Sequence, residues 1–143
     1  MVKKIFVMLF CSVCLIIFVS TLHGQGSKNT ITLPNGEVVW DLNGEWDTYT
    51  EHYGVWSFSP VARNIFKITQ QGSSFVGIRM IQNDPENPKG AVAIKGELDK
   101  DGFMKLQWFV HPGPYDAKGQ ISRDGNTIKI DDGEKIRSTL TRK

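Results

Sequence analysis

His52 and His111 are the side chains of this 143-residue chain that come nearest to a metal-binding set, with Asp116 or Glu51 available as a third ligand. Zinc sites draw ligands at short fixed spacings such as His-x-x-x-His, and neither histidine has a partner at such a spacing. Both read as turn or surface residues, and no metal is expected. Asp131-Asp132-Gly133-Glu134 and Asp99-Lys100-Asp101-Gly102 look like fragments of calcium loops. A calcium site needs six or more oxygens, and the twelve-residue loop of alternating carboxylates is missing. Asp-Gly at a hairpin tip accounts for both segments. Paired carboxylates for acid–base work must share a cleft. Glu45, Asp47 and Glu51 alternate with Trp46 and Thr48, which sets them on the outside of a strand. Ser73-Ser74 has no Gly-x-Ser-x-Gly context, and no phosphate loop or dinucleotide fingerprint is present. These residues assemble no catalytic set and call for no cofactor, so the chain is not expected to be an enzyme.

The aromatic residues say more. Tyr53-Gly54-Val55-Trp56-Ser57-Phe58-Ser59-Pro60 concentrates three rings in a loop. Exposed aromatics are costly without a partner, so they pack down as a plug or meet a ligand or protein. Trp108, Met104 and Phe66 are candidates to lie beneath them. The ligand-binding residues inferred from this are Trp56, Phe58, Phe66 and Trp108.

The elements that must position these side chains begin after residue 26. Lys3 and Lys4, the apolar run Ile5 to Leu22 and the small-x-small triplet Gly24-Gln25-Gly26 read as a cleaved export signal over residues 1–26. The alternative is an uncleaved membrane anchor, because the apolar run reaches the lower length limit for a spanning helix. Cleavage leaves no stable membrane insertion and places the protein in a periplasmic or extracellular setting. Cys11 and Cys14 fall within the signal, so the exported domain is cysteine-free and must hold together by burial alone. The chain has 17 basic and 15 acidic residues. Loss of Lys3 and Lys4 therefore leaves a neutral balance without a basic stripe, which argues against nucleic acid as a partner.

Residues 27–41 form a polar N-terminal arm with a turn at Pro34-Asn35-Gly36, and Glu37–Trp40 is a short arm or strand. Residues 42–143 form one domain of short period-2 segments. Eight strands are predicted: Gly44–His52, Asn64–Gln70, Phe75–Ile81, Ala91–Leu98, Phe103–Val110, Asp116–Ser122, Thr127–Asp131 and Lys135–Arg142. Alternation assigns their faces. Val92, Ile94, Gly96 and Leu98 oppose Lys95 and Glu97; Met104, Leu106, Trp108 and Val110 oppose Lys105 and Gln107; Ile128 and Ile130 flank Lys129; Ile136 and Leu140 face inward. One apolar and one wet face per strand, joined by sequential hairpins, predicts an all-β, antiparallel, up-and-down barrel. The alternative is a β-sandwich.

Asn43-Gly44-Glu45-Trp46-Asp47 opens the first long strand, and this Gly-x-Trp ahead of a strand meander resembles the calycin group of lipocalins, fatty-acid-binding proteins and avidins. The resemblance implies that Trp46 plugs one barrel end and that a basic residue of the last strand, here Arg142, packs across it. Gly44, Trp46 and Arg142 are the matching structural positions. The barrel is short, nearer to avidins than to lipocalins, yet the biotin-contacting residues of avidins do not map onto it, so biotin binding is not carried over.

Three functions compete. The first is an exported, non-enzymatic binding protein holding a small, mainly apolar ligand in or at the mouth of the barrel. The second is an envelope or secreted interaction module with a filled barrel, in which the Trp40 arm and the Tyr53–Pro60 loop dock a protein partner or a second copy. The third is a small barrel enzyme using the polar row Thr48, Thr50 and His52.

Overall fold

The computed structural model describes residues 29–82 and 85–143. The export signal inferred for residues 1–26 lies outside them. A short hairpin, β1 (Thr30–Thr32) and β2 (Val38–Trp40), precedes eight longer strands: β3 (Gly44–His52), β4 (Ala62–Gln71), β5 (Ser74–Arg79), β6 (Val92–Leu98), β7 (Phe103–Trp108), β8 (Tyr115–Ile121), β9 (Thr127–Asp131) and β10 (Ile136–Arg142). Each long strand pairs antiparallel with the next, and β10 returns to pair with β3, which closes the barrel. The chain is thus an eight-stranded antiparallel up-and-down barrel, and closure excludes the sandwich. It also leaves the eight strands no open edge for intermolecular pairing.

Alternation builds this barrel. In β7, Met104, Leu106 and Trp108 are buried and Phe103, Lys105 and Gln107 exposed; in β9, Ile128 and Ile130 are buried about exposed Lys129. The buried side chains of all eight strands meet in one core, with Trp46, Phe66, Phe75 and Trp108 as its largest members. Each large apolar side chain moved from water into such a core is worth roughly 1.5–3 kcal/mol.

Two sequence expectations need correction. Val92 does not share the inner face with Ile94: it is exposed, while Ala93 and Ile94 are both buried. The cause is a β-bulge, since the register jumps from Gly77↔Ile94 to Ile78↔Val92, leaving Ala93 without an opposite number. One extra residue turns every side chain before it to the other face. The lead-in also contains a strand: β1 pairs with β2 from Thr30↔Trp40 to Thr32↔Val38, closed by the Gly36 N–H to Leu33 carbonyl bond.

The hairpins divide between two ends. The start of β3, the turns at Gly72, Gly102 and Gly125, and the end of β10 lie at one end, with the β1–β2 hairpin across it. There the Trp46 ring is buried, and its indole N–H donates to the Leu42 carbonyl at 2.9 Å. The Arg142 guanidinium stands 4.3 Å from the Trp46 ring centroid and donates to the carbonyls of Asn43, Gly125 and Asp41. The Gln70 side chain accepts from the Leu42 N–H and donates to the Trp40 carbonyl, joining the hairpin to the wall. Gly102, at φ +87°, leaves room for the Trp40 indole; a Cβ there would sit 3.0 Å from its Nε1. The opposite end carries the longer loops, and the site lies there.

Candidate functional site

The mouth of the barrel is assembled, among the described residues, from 53–61, 80–82 with 85–91, 109–114 and 132–135. Inside it lies a cavity of about 80 Å³. Phe66 of β4 and Trp108 of β7, each 3% exposed, line it, joined by Val110 and Ile136. Ala62 of β4 adds to the apolar lining, and the polar lining is Thr50 and His52 from β3, Asn64 from β4, Arg79 from β5 and Asn87 from the loop that follows. The cavity is therefore of mixed character: its apolar lining comes from β4, the end of β7 with Val110, and β10, and its polar lining from β3 to β5 and the loop after β5.

Parity explains the polar lining. Thr48, Thr50 and His52 fall on the same face of β3 as Trp46, and Arg79 follows Phe75 and Gly77 on the inner face of β5. Thr50 and Ser138 are cross-strand partners whose hydroxyls hydrogen-bond to each other. Arg79 is 5% exposed and donates to the carbonyls of Val92 and Phe109, tying β5 to β6 and to the end of β7. A buried guanidinium held this way satisfies donors that would otherwise destabilise the fold. Among the described residues, two buried side-chain polar atoms have no hydrogen-bond partner, Thr48 Oγ1 and His52 Nδ1.

Above the cavity the loop is pinned to the β9–β10 turn. The Tyr53 N–H donates to the Lys135 carbonyl, and the Tyr53 hydroxyl donates to Asp131 Oδ1 at 2.6 Å. Arg137 donates to Asp131 Oδ2 at 3.0 Å and lies over the Tyr53 ring. The hydrogen bond to Asp131 pushes the Tyr53 pKa up to about 12. Partial burial works against the Asp131 carboxylate, but bonds from Tyr53, the Gly133 amide and Arg137 outweigh it and hold its pKa below the ordinary value. Asp132 behaves alike: burial opposes ionisation, and the amides of Lys135, Ile136 and Glu134 more than offset it. The Asp131–Glu134 segment is thus a turn whose carboxylates bind its own backbone. Gly54 (φ +60°) passes so close to this turn that a Cβ would stand 2.7 Å from the Glu134 carbonyl oxygen.

The sequence-inferred ligand residues separate here. Phe66 and Trp108 line the cavity. Trp56, in a single 3-10 turn (Gly54–Trp56), is half-buried at the rim, edge-on to Tyr115 at 5.7 Å and 6.3 Å from His52. The Lys135 ammonium lies 5.4 Å from the Trp56 ring and 4.9 Å from Tyr115, so a cation joins the two aromatics. Phe58 is 84% exposed and does not line the cavity. His111 pairs with Glu86 at 3.0 Å on the exposed rim. Among the described residues no three of His, Cys, Asp and Glu converge as metal ligands.

Arg79, Asn64 and Asn87 were missed as site residues, although inward parity after Phe75 was a readable signal for Arg79. Tyr115 and Lys135 carried no such signal, because only barrel closure brings them to Trp56. A larger depression, about 1050 Å³, lies on the outer face. Its cross-strand row Glu97, Lys105, Lys118, Asp131 and Arg137 is an outward charge ladder, four of its five members exposed and Asp131 half-buried, which solvent screens. No family model, curated protein or solved structure matches this chain.

Proposed function

We propose that this chain is an exported, non-enzymatic binding protein of calycin type that holds a small, mainly apolar ligand at the mouth of its barrel. The observation that carries the proposal is the cavity itself: an aromatic lining of Phe66 and Trp108 at one end of a barrel whose other end is sealed by Trp46. Its size limits the ligand. A water-sized occupant needs roughly 10–15 Å³ of such space, so about 80 Å³ admits a group of around six heavy atoms. Anything larger extends outward against Trp56. The Thr50 hydroxyl is engaged by Ser138 and Arg79 by backbone carbonyls, an arrangement that supports binding over catalysis. Export, and a periplasmic or extracellular site of action, rest on residues 1–26.

Native mass spectrometry of the protein recovered from its export compartment tests this reading. A mass excess that vanishes on denaturation is the expected result. A bare protein mass that also fails to take up added small aromatic compounds would overturn it.

A second reading draws on Val55, Phe58 and Val61, which are 73%, 84% and 50% exposed on one loop. Such a cluster suits a protein partner or self-association. Association that survives Phe58→Ser would remove its main support.

A further inference from the structure

We infer that Trp56, positioned by Lys135, sets the upper size of the ligand: the mouth takes a single six-membered ring and turns away a fused pair. This rests on the binding reading above and adds a size class to it. The loop that carries Trp56 joins β3 to β4, yet its ring does not lie over that pair. It reaches the other way round the barrel, past β10 and β9, to β8. There it stands edge-on to Tyr115 at 5.7 Å, with the His52 ring 6.3 Å away. The described lining of the cavity includes no residue of β8 or β9. Trp56 and Tyr115, both packed against the core, take up that side of the mouth instead.

Each neighbour of Trp56 leads to the cavity. His52 belongs to its lining, Tyr115 is the cross-strand partner of Trp108, and Lys135 precedes Ile136. Lys135 holds the ring through both side chain and backbone. Its ammonium stands 5.4 Å from the Trp56 ring centroid and 4.9 Å from that of Tyr115, and a cation shared by two rings favours one arrangement of both. Glu134, 3.8 Å from that ammonium, is exposed and stabilises it little. The Lys135 carbonyl accepts the Tyr53 N–H at the foot of the loop. The space left, about 80 Å³, accepts one ring. A second ring fused to the first would extend outward into Trp56.

Phenol and 2-naphthol make the test, because they share a hydroxyl and differ by one fused ring. At an open apolar mouth 2-naphthol binds more tightly, since it buries more apolar surface. The expected result in amide chemical-shift titrations of the 15N-labelled protein is the reverse order. Phenol should be preferred at least about fivefold, with shifts centred on Phe66 and Trp108. Trp56→Ala should turn the order round in favour of 2-naphthol. Lys135→Met, which leaves the Trp56 ring but removes its cation, should narrow the preference at least about twofold. Lys135→Arg, which keeps a cation, should restore it. 2-Naphthol preferred by the wild type would overturn the size limit while leaving the binding reading intact. A phenol preference that survives Trp56→Ala would overturn the role of Trp56, and one equal in wild type and Lys135→Met would overturn that of Lys135. Binding of neither compound at millimolar concentration, or shifts centred away from Phe66 and Trp108, would overturn both the inference and the mouth as a binding site.

Discussion

The two ends of the barrel differ in how completely their polar groups are used. At the Trp46 end, the indole N–H, the Arg142 guanidinium and the Gln70 amide all hold backbone atoms, and a hairpin lies across the opening. At the His52 end a cavity remains, the buried His52 Nδ1 lacks a partner, and Val55 and Phe58 face solvent. A fold that satisfies its groups at one end and leaves them unsatisfied at the other separates stability from recognition. The sealed end carries the first and the open mouth is suited to the second.

Substitutions should divide along the same line. Trp46→Ala is expected to have the largest effect, about 3–5 kcal/mol lost in denaturant unfolding, because it empties a fully buried site. A loss under 1 kcal/mol would break the distinction between the ends. Arg142→Met should follow at roughly 1–3 kcal/mol, leaving the carbonyls of Asp41, Asn43 and Gly125 without their donor and the Trp46 face without its cation. At the mouth, Trp56→Ala should cost only about 1–2 kcal/mol, since the ring is half-buried against Tyr115 and Lys135. It should, however, weaken phenol binding more than Arg142→Met does.

Tyr53→Phe sharpens the comparison through pH. Asp131 titrates below its ordinary value, so its contribution is complete at neutral pH and is lost as pH falls through the folded-state pKa. The gap in Tm between wild type and Tyr53→Phe should therefore be open at pH 6 and narrow as pH falls below the ordinary carboxylate range. Tyr53 itself, raised to about 12, stabilises the fold fully below the ordinary tyrosine pKa and ceases to do so as pH passes 12. Tyr53 should thus titrate late in ultraviolet absorbance. Phe58→Ser should have the smallest effect, within about 0.5 kcal/mol, because the ring is already in water.

Much of the barrel was legible before any coordinates. The alternation of Ile128 and Ile130 about Lys129, and Asp-Gly turns such as Asp124-Gly125, specify strands and hairpins locally. The Ala93 bulge was not legible, because Val92 and Ile94 satisfy alternation whether their β5 partners stand two residues apart or, as here, side by side. The site was legible only where a strand carries it. Phe66 and Trp108 follow from parity, whereas Lys135 reaches Trp56 through the closure of β10 on β3, a contact that no local pattern records. Phe58 illustrates the converse. Its loop position was evident, but which rings of an aromatic loop turn inward depends on the Gly54–Trp56 turn and its seat on Glu134.

Amide hydrogen exchange, followed residue by residue with and without saturating phenol, tests the division of labour most directly. Without phenol, the amides of Leu42, Ile121 and Arg142 at the sealed end should exchange only through global unfolding. Those of Tyr53, Trp56 and Phe109 at the mouth should exchange faster, through local opening. Phenol should slow the second group selectively. Equal protection at both ends, unchanged by phenol, would contradict a sealed end that holds the fold and an open end that binds.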